Sequence, residues 1–203
     1  MKRFYFVSSI FFLLFLVLTI MMLTNRVVEL DDTIYNRLIY FRSENLDDLF
    51  KIITMLANTS TVIILTGFLV CFLKNKDRLS LLTVVISTAG INQLVKHIVR
   101  RARPDHFRLI VEKGYSFPSG HAMISIALYG YLIYFVYQNV KNKYLKAVLL
   151  SFLILLIIGI GCSRIYLGVH YPSDVLGGYC LAFMILILVI GYYNNHFKGG
   201  KLK

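Results

Sequence analysis

The chain has 203 residues, 58% of them hydrophobic and 16% charged, against roughly 45–50% and 25% in soluble globular domains. Something other than water solvates much of this surface, so a disordered chain is excluded; the odd count of three cysteines (Cys71, Cys162, Cys180), each in or at the end of an apolar run, excludes a disulfide scaffold. The excess of 22 Lys and Arg over 10 Asp and Glu, a formal +12, suits nucleic acid, anionic headgroups or an anionic substrate, and the hydropathy decides against nucleic acid.

Crossing a bilayer as a helix takes about 20 predominantly apolar residues. Six stretches meet that need, so the expected fold is all-α, a six-transmembrane-helix integral membrane bundle. The first, Phe4–Leu23, follows Met1-Lys2-Arg3; its run is longer than the roughly 7–15 residues of a signal h-region and no small-x-small site follows, so it reads as a retained helix. Segment 24–51 carries six of the ten acids, with Leu30, Ile34, Leu38 and Phe41 at helical spacing. That predicts a short amphipathic helix on the membrane surface or against the bundle, serving as a connector. The second span is Ile52–Leu73. The third, Leu79–Val95, is interrupted by Asn92 and Gln93; the fourth is Pro118–Gln138; the fifth, Ala147–Cys162, is the shortest; the sixth is Val175–Tyr193. Without an internal repeat or a Pro/Gly linker, residues 1–203 read as a single membrane-embedded domain.

Loop charge gives the orientation. With both termini on one side, the segments 1–3, 74–78, 139–146 and 196–203 hold 11 Lys and Arg in 24 residues, against 11 in the 62 residues of 24–51, 96–117 and 163–174. The positive-inside rule weighs short loops near helix ends. The termini are therefore expected in the cytoplasm and the segments that follow on the outer face.

Three polar clusters abut the outer helix ends. In KHIVRRARP, Lys96 and Arg103 are seven residues apart, about two helical turns, and Pro104 ends the segment; taken alone, it is equally a basic loop on anionic lipid. Pro118-Ser119-Gly120-His121 opens the fourth span as a helix start able to receive an anion, with Pro118 expected at the first helical position. In the third cluster, His170 and Asp174 are four apart near a helix begun around Pro172, so the carboxylate can fix the imidazole tautomer and leave the other nitrogen free to attack. Arg164 adds a fork suited to phosphate oxygens. Together they supply three cations, two histidines, one carboxylate and an anion-binding helix start, which is what phosphoryl transfer needs, with side-chain cations neutralising a phosphate as Mg²⁺ does elsewhere. No metal cofactor is expected: the Lys and Arg neighbours repel a cation, and zinc spacing of His or Cys is missing.

The three gapped motifs, Lys96-x6-Arg103-Pro104, Pro118-Ser119-Gly120-His121 and Ser163-Arg164-x5-His170-x3-Asp174, resemble the signature of the type 2 phosphatidic acid phosphatase family, which shares its phosphate site with vanadium haloperoxidases. The resemblance spans residues 96–174. It implies that His170 is the nucleophile forming a phosphohistidine, that Asp174 orients it, and that His121 is the general acid for the leaving oxygen. Lys96, Arg103 and Arg164 would hold the phosphate, with Ser119 and the Gly120 backbone completing the cradle. Arg100, Arg101 and Arg108 fall outside the pattern and are assigned to headgroup attraction.

The expected function is a lipid phosphatase of a bacterial cell membrane. By resemblance to the family's bacterial members of this size, its substrate would be undecaprenyl diphosphate, placed narrowly first, phosphatidylglycerol phosphate or phosphatidic acid. A phosphotransferase using the same site is the alternative within enzymes. A transporter would be expected to carry ionisable residues along its spans, and these spans are nearly free of charge between their ends.

Overall fold

The protein is described from a computed structural model, which covers residues 2–105 and 108–199. The end of the basic segment 196–203, from residue 200 on, lies outside the described residues. The described residues form eight helices: α1 (Lys2–Leu23), α2 (Val28–Tyr40), α3 (Glu44–Met55), α4 (Thr59–Phe72), α5 (Asn75–Val99), α6 (Gly120–Asn139), α7 (Lys143–Tyr166) and α8 (Pro172–Gly199). Five are long and apolar enough to cross a membrane, and the pair α3 and α4 makes a sixth span if counted as one.

Three expectations change. The second span is not one rod: α3 and α4 meet at a 47° bend, where Asn58 takes an extended conformation ahead of α4. Segment 24–51 holds two helices. α3 starts at Ser43, whose side chain accepts from the Leu46 amide. α2 docks through Asp31, Tyr35, Leu38 and Ile39, while Leu30 and Phe41, placed on its apolar stripe by spacing, stay exposed. The fifth span is longer than its apolar run because α7 begins at a cap, Asn142, whose side chain accepts from the Tyr144 and Leu145 amides.

The centre of the bundle is α6 and α8, each with half of its apolar window buried, against 17% for α1. The core packs Leu81 and Val84 of α5, Met123 and Ile126 of α6, Ile157 and Ile160 of α7, and Leu181 and Ile185 of α8. Residues 126–130 widen α6 into a π-helical stretch. Outward faces are apolar, with Phe6 and Leu13 of α1, Ile64 and Phe68 of α4, and Phe152 and Leu155 of α7 exposed, as hydrocarbon solvent requires.

α1 runs antiparallel to α8. Phe4 lies at Gly191, Phe11 stacks on Phe183 at 5.1 Å, and Phe15 stacks on Phe117 at 5.8 Å. Both described chain ends therefore sit at one end of the bundle. They share it with the first turn of α5, where Tyr131 donates to the Asp77 carbonyl, and with the helix ends flanking the α6–α7 turn, where Lys146 donates to the Tyr137 carbonyl. The three motif clusters gather at the other end.

Candidate active site

Each motif is delivered by a helix end or the loop beside it. α5 ends at Arg100, in the left-handed conformation (φ 52°), which releases the chain into the loop bearing Arg103. α6 begins at Gly120 with Ser119 as its cap, so Pro118 precedes the helix instead of opening it. α8 begins at Pro172, and Asp174 in its first turn accepts from the Tyr171 amide at 2.9 Å, closing the helix start on itself. α8 approaches closely enough for the Ser119 amide to donate to the Asp174 carbonyl at 3.0 Å. Gly178 permits this, because a Cβ there would lie 2.9 Å from the Ser119 carbonyl oxygen.

His170 is 2% exposed, and both ring nitrogens are engaged. Arg103 Nη1 lies 3.2 Å from Nε2; on the other side Nδ1 faces the Asp174 carboxylate at 3.4 Å and the Ser116 hydroxyl at 3.3 Å. A guanidinium only donates. The lone pair is thus on Nε2 and the proton on Nδ1, toward Asp174. Burial pushes the His170 pKa down to about 4; Asp174 opposes this, and Arg164 and Arg103 reinforce it.

The cations converge on a carboxylate. Arg164, 1% exposed, donates to the Thr54 hydroxyl at 2.7 Å and to Glu112 at 2.5 Å, and its Nε is left without a partner among the described residues. Arg103 reaches the other Glu112 oxygen at 3.9 Å and is steadied by the carbonyls of Lys113, Gly114 and Val169. Burial raises the Glu112 pKa, but Arg164 and Arg103 outweigh it and hold the carboxyl below its ordinary value. A planar oxyanion bridging two guanidinium groups marks the place where a phosphate's oxygens can be held.

Lys96, Arg103, Glu112, Gly120 and His121 line a cavity of about 610 Å³ together with apolar side chains of α4 and α5, Val62, Ile63, Val85 and Ile86 among them. His121 meets Asn58 from the α3–α4 bend, Nε2 to Oδ1 at 2.9 Å. An amide oxygen only accepts, so Nε2 carries a proton in this arrangement. Ser119 is fully buried, with its hydroxyl 3.5 Å from the Ala122 amide, and it stands at the cap of the helix whose first free N–H groups are those of Gly120 and His121.

All eight candidate site residues thus fall at one end of the bundle. The sequence motifs omit Thr54, Asn58, Glu112 and Ser116. They also omit Arg101, whose assignment to headgroups is overturned: it is inside the protein, donating to Asp174 at 2.6 Å and to Asp31 at 2.9 Å. Of the other two cations set aside with it, Arg100 donates to the His97 carbonyl, and the exposed Arg108, beyond that motif, to the Pro104 carbonyl.

Residues 77–198 match the family model described as the PAP2 superfamily. The chain is 32% identical over 187 residues to phosphatidylglycerophosphatase B of Bacillus subtilis, covering 89% of this chain and 92% of that protein. Its fold is similar to the crystal structure of a transmembrane PAP2-type phosphatidylglycerolphosphate phosphatase from Bacillus subtilis, with a TM-score of 0.83 and 29% identity over 97% of this chain and 98% of that one. It also resembles Aquifex aeolicus LpxE in fold, with a TM-score of 0.66 and 22% identity over 79% of this chain and 94% of that one.

Proposed function

The chain belongs to the PAP2 superfamily, and on that premise we propose that this membrane phosphatase hydrolyses a lipid phosphate through a phosphohistidine formed on His170. The observation that carries the reading is the pairing at His170: Arg103 on Nε2 and Asp174 on Nδ1 leave the nitrogen that faces the cationic cluster unprotonated.

The phosphate takes the position of the Glu112 carboxylate on Arg164 and Arg103, with Lys96 and the α6 start on its remaining oxygens. The Nε2 lone pair of His170 attacks phosphorus, the bond from phosphorus to the lipid oxygen breaks, and His121, entering the step as an imidazolium with its Nε2–H on Asn58, gives its Nδ1 proton to that oxygen. In the second half His121 takes a proton from water, the water oxygen attacks phosphorus, and the P–N bond breaks. Inorganic phosphate leaves with His170 restored. Asp174 faces the ring while it carries positive charge as a phosphohistidine.

The cavity supports a lipid substrate, since it is cationic at the site and apolar between α4 and α5. Phosphatidylglycerol phosphate comes first as substrate, ahead of the polyprenyl diphosphate that ranks first on sequence alone, because the relative named for it covers nearly the whole chain. The test is phosphate release by the purified protein from lipid mono- and diphosphates in detergent micelles, with EDTA present. Release from phosphatidylglycerol phosphate, undiminished by EDTA and inhibited by vanadate, is expected. Activity lost to EDTA and restored by Mg²⁺ would sink the account in which Lys96, Arg103 and Arg164 do the work of a metal. Phosphate carried to a second lipid instead of water would make the chain a transferase.

The proposed orientation has cytoplasmic termini and an outward-facing site. In a chain freed of Cys71, Cys162 and Cys180, a single cysteine at position 143 should resist an impermeant reagent in intact cells. Its labelling there reverses the orientation.

A further inference from the structure

Behind Asp174, on the side away from His170, lies a buried ionic cluster that the reaction just described does not use. Asp31 of α2 is 1% exposed, although it comes from the helix read as a connector. One of its oxygens accepts from the Ser173 amide at 2.8 Å; the other accepts from the Ser173 hydroxyl at 2.6 Å and from Arg101 at 2.9 Å. Arg101 lies 3.9 Å over the Tyr171 ring and turns its other nitrogen to Ser173 at 2.7 Å and to Asp174 Oδ1 at 2.6 Å. Asp174 Oδ2 accepts from Ser116 and the Tyr171 amide and faces His170.

We propose that Arg101 and Asp31 are positioning residues of the catalytic centre: clamped between two carboxylates, the Arg101 guanidinium fixes Asp174 Oδ1, so that only Oδ2 is offered to His170. The proposal rests on the reading of His170 as nucleophile. A carboxylate is symmetric, and without Arg101 its Oδ1 would lose its ion-pair partner, leaving Ser116 and the Tyr171 amide to hold Oδ2 toward His170 by themselves. The rigid fork of arginine holds Oδ1 by spanning Asp174 and Asp31 at once, which the point charge of a lysine cannot do. Its positive charge also offsets part of the field that Asp174 exerts on the imidazole. α2 thereby becomes a wall of the site, anchoring both the fork and the start of α8.

The groups facing His170 are Arg103, Glu112 and Ser116 of the loop, His121 of α6, Arg164 of α7 and Asp174 of α8. Arg101 reaches it through Asp174. In Arg101→Gln the full Asp174 charge falls on the ring, so the His170 pKa rises.

The experiment reads that titration directly, by NMR of the protein labelled with ¹⁵N at histidine, with the His170 signal assigned by its loss in His170→Gln. In parallel, kcat and KM are measured on a lipid phosphate. For Arg101→Gln the expected results are an upward move of the His170 titration, a kcat lower by about 10–100-fold and a KM within about twofold of the parent. Asp31→Asn, which keeps the Ser173 acceptor but opposes a donor to Arg101, should lose about 3–10-fold in kcat. Arg101→Lys should restore the titration but only part of the rate. The exposed Arg100→Gln should change neither. An unmoved titration in folded Arg101→Gln, or full rate in Arg101→Lys, overturns the proposal. An inactive parent whose His170 titration still moves in Arg101→Gln leaves the clamp standing and overturns the phosphatase reading instead.

Discussion

At the corner between α7 and α8, His170 is wedged among ionic groups, with Arg103 on one nitrogen, Asp174 on the other, and Arg101 and Asp31 behind the carboxylate. At the bend between α3 and α4, His121 makes its hydrogen bond to a neutral amide, Asn58, and lines the cavity it shares with Lys96, Arg103 and Glu112. A ring fixed by charges on both nitrogens keeps one tautomer, which suits a nucleophile whose lone pair must always point the same way. A ring held by a neutral amide can lose and regain a proton without stranding a buried ionic partner, which suits an acid that becomes a base within one turnover.

The sharpest way to break this contrast is to remove each ring. His170→Ala should abolish both turnover and the trapping of labelled phosphate on the protein, because no nucleophile remains. Labelled phosphate still trapped on that variant assigns the nucleophile elsewhere. In the parent, kcat/KM should hold as the pH drops through 6 and fall only near the His170 value of about 4, where Nε2 takes up a proton. An acid limb at the ordinary histidine value contradicts the charged corner. His121→Ala should slow a lipid substrate by about 10²–10⁴-fold, the usual contribution of general acid catalysis. It should slow p-nitrophenyl phosphate far less, since that leaving group needs no proton. Equal losses on both substrates erase the difference between the rings.

The membrane spans were legible because hydrocarbon demands length and apolarity, both properties of a single stretch. The motif residues could be grouped in sequence because each lies at a helix end or in the loop beside it, close to the other members of its own motif; how the three motifs meet is not in that spacing. What escaped is long-range. Thr54 and Asn58 sit inside an apparently continuous apolar run, and only the bend brings them to Arg164 and His121. Arg101 looks like its neighbours Arg100 and Arg103, and its partner Asp31 is 70 residues away. One signal was present: Asp31 is in register with Tyr35 and Leu38 on the face that packs, and an acid on a buried stripe needs a cation. Spacing from Leu30 and Phe41 selected a neighbouring face, because a helix beside lipid has apolar residues on more than one side.

A smaller effect tests what the charged corner does before substrate arrives. Glu112 occupies Arg164 and Arg103, so an incoming oxyanion must displace it. Glu112→Gln replaces a charge-assisted hydrogen bond with a neutral one, a difference of about 1–1.5 kcal/mol, and should tighten inhibition by orthovanadate on the order of tenfold. Weaker vanadate inhibition in that variant means that Glu112 supports the anion instead of competing with it.

The smallest effect separates the neutral side from the charged one. Asn58 makes no side-chain cap bond to α4, so Asn58→Ala removes the hydrogen bond to His121 without uncapping the helix. A hydrogen bond of this kind contributes about 0.5–1 kcal/mol, which corresponds to a loss of about 2–5-fold in kcat on the lipid. Because the lost contact orients only the acid, p-nitrophenyl phosphate should be hydrolysed at the parental rate and the acid limb of the pH profile, set by His170, should stay where it was. Equal slowing of both substrates would mean that Asn58 serves the nucleophile's half of the site. A loss on the lipid as large as that of His121→Ala would mean that the amide does more than aim the ring, and the distinction between an ionic and a neutral anchor would then fail at its weaker end.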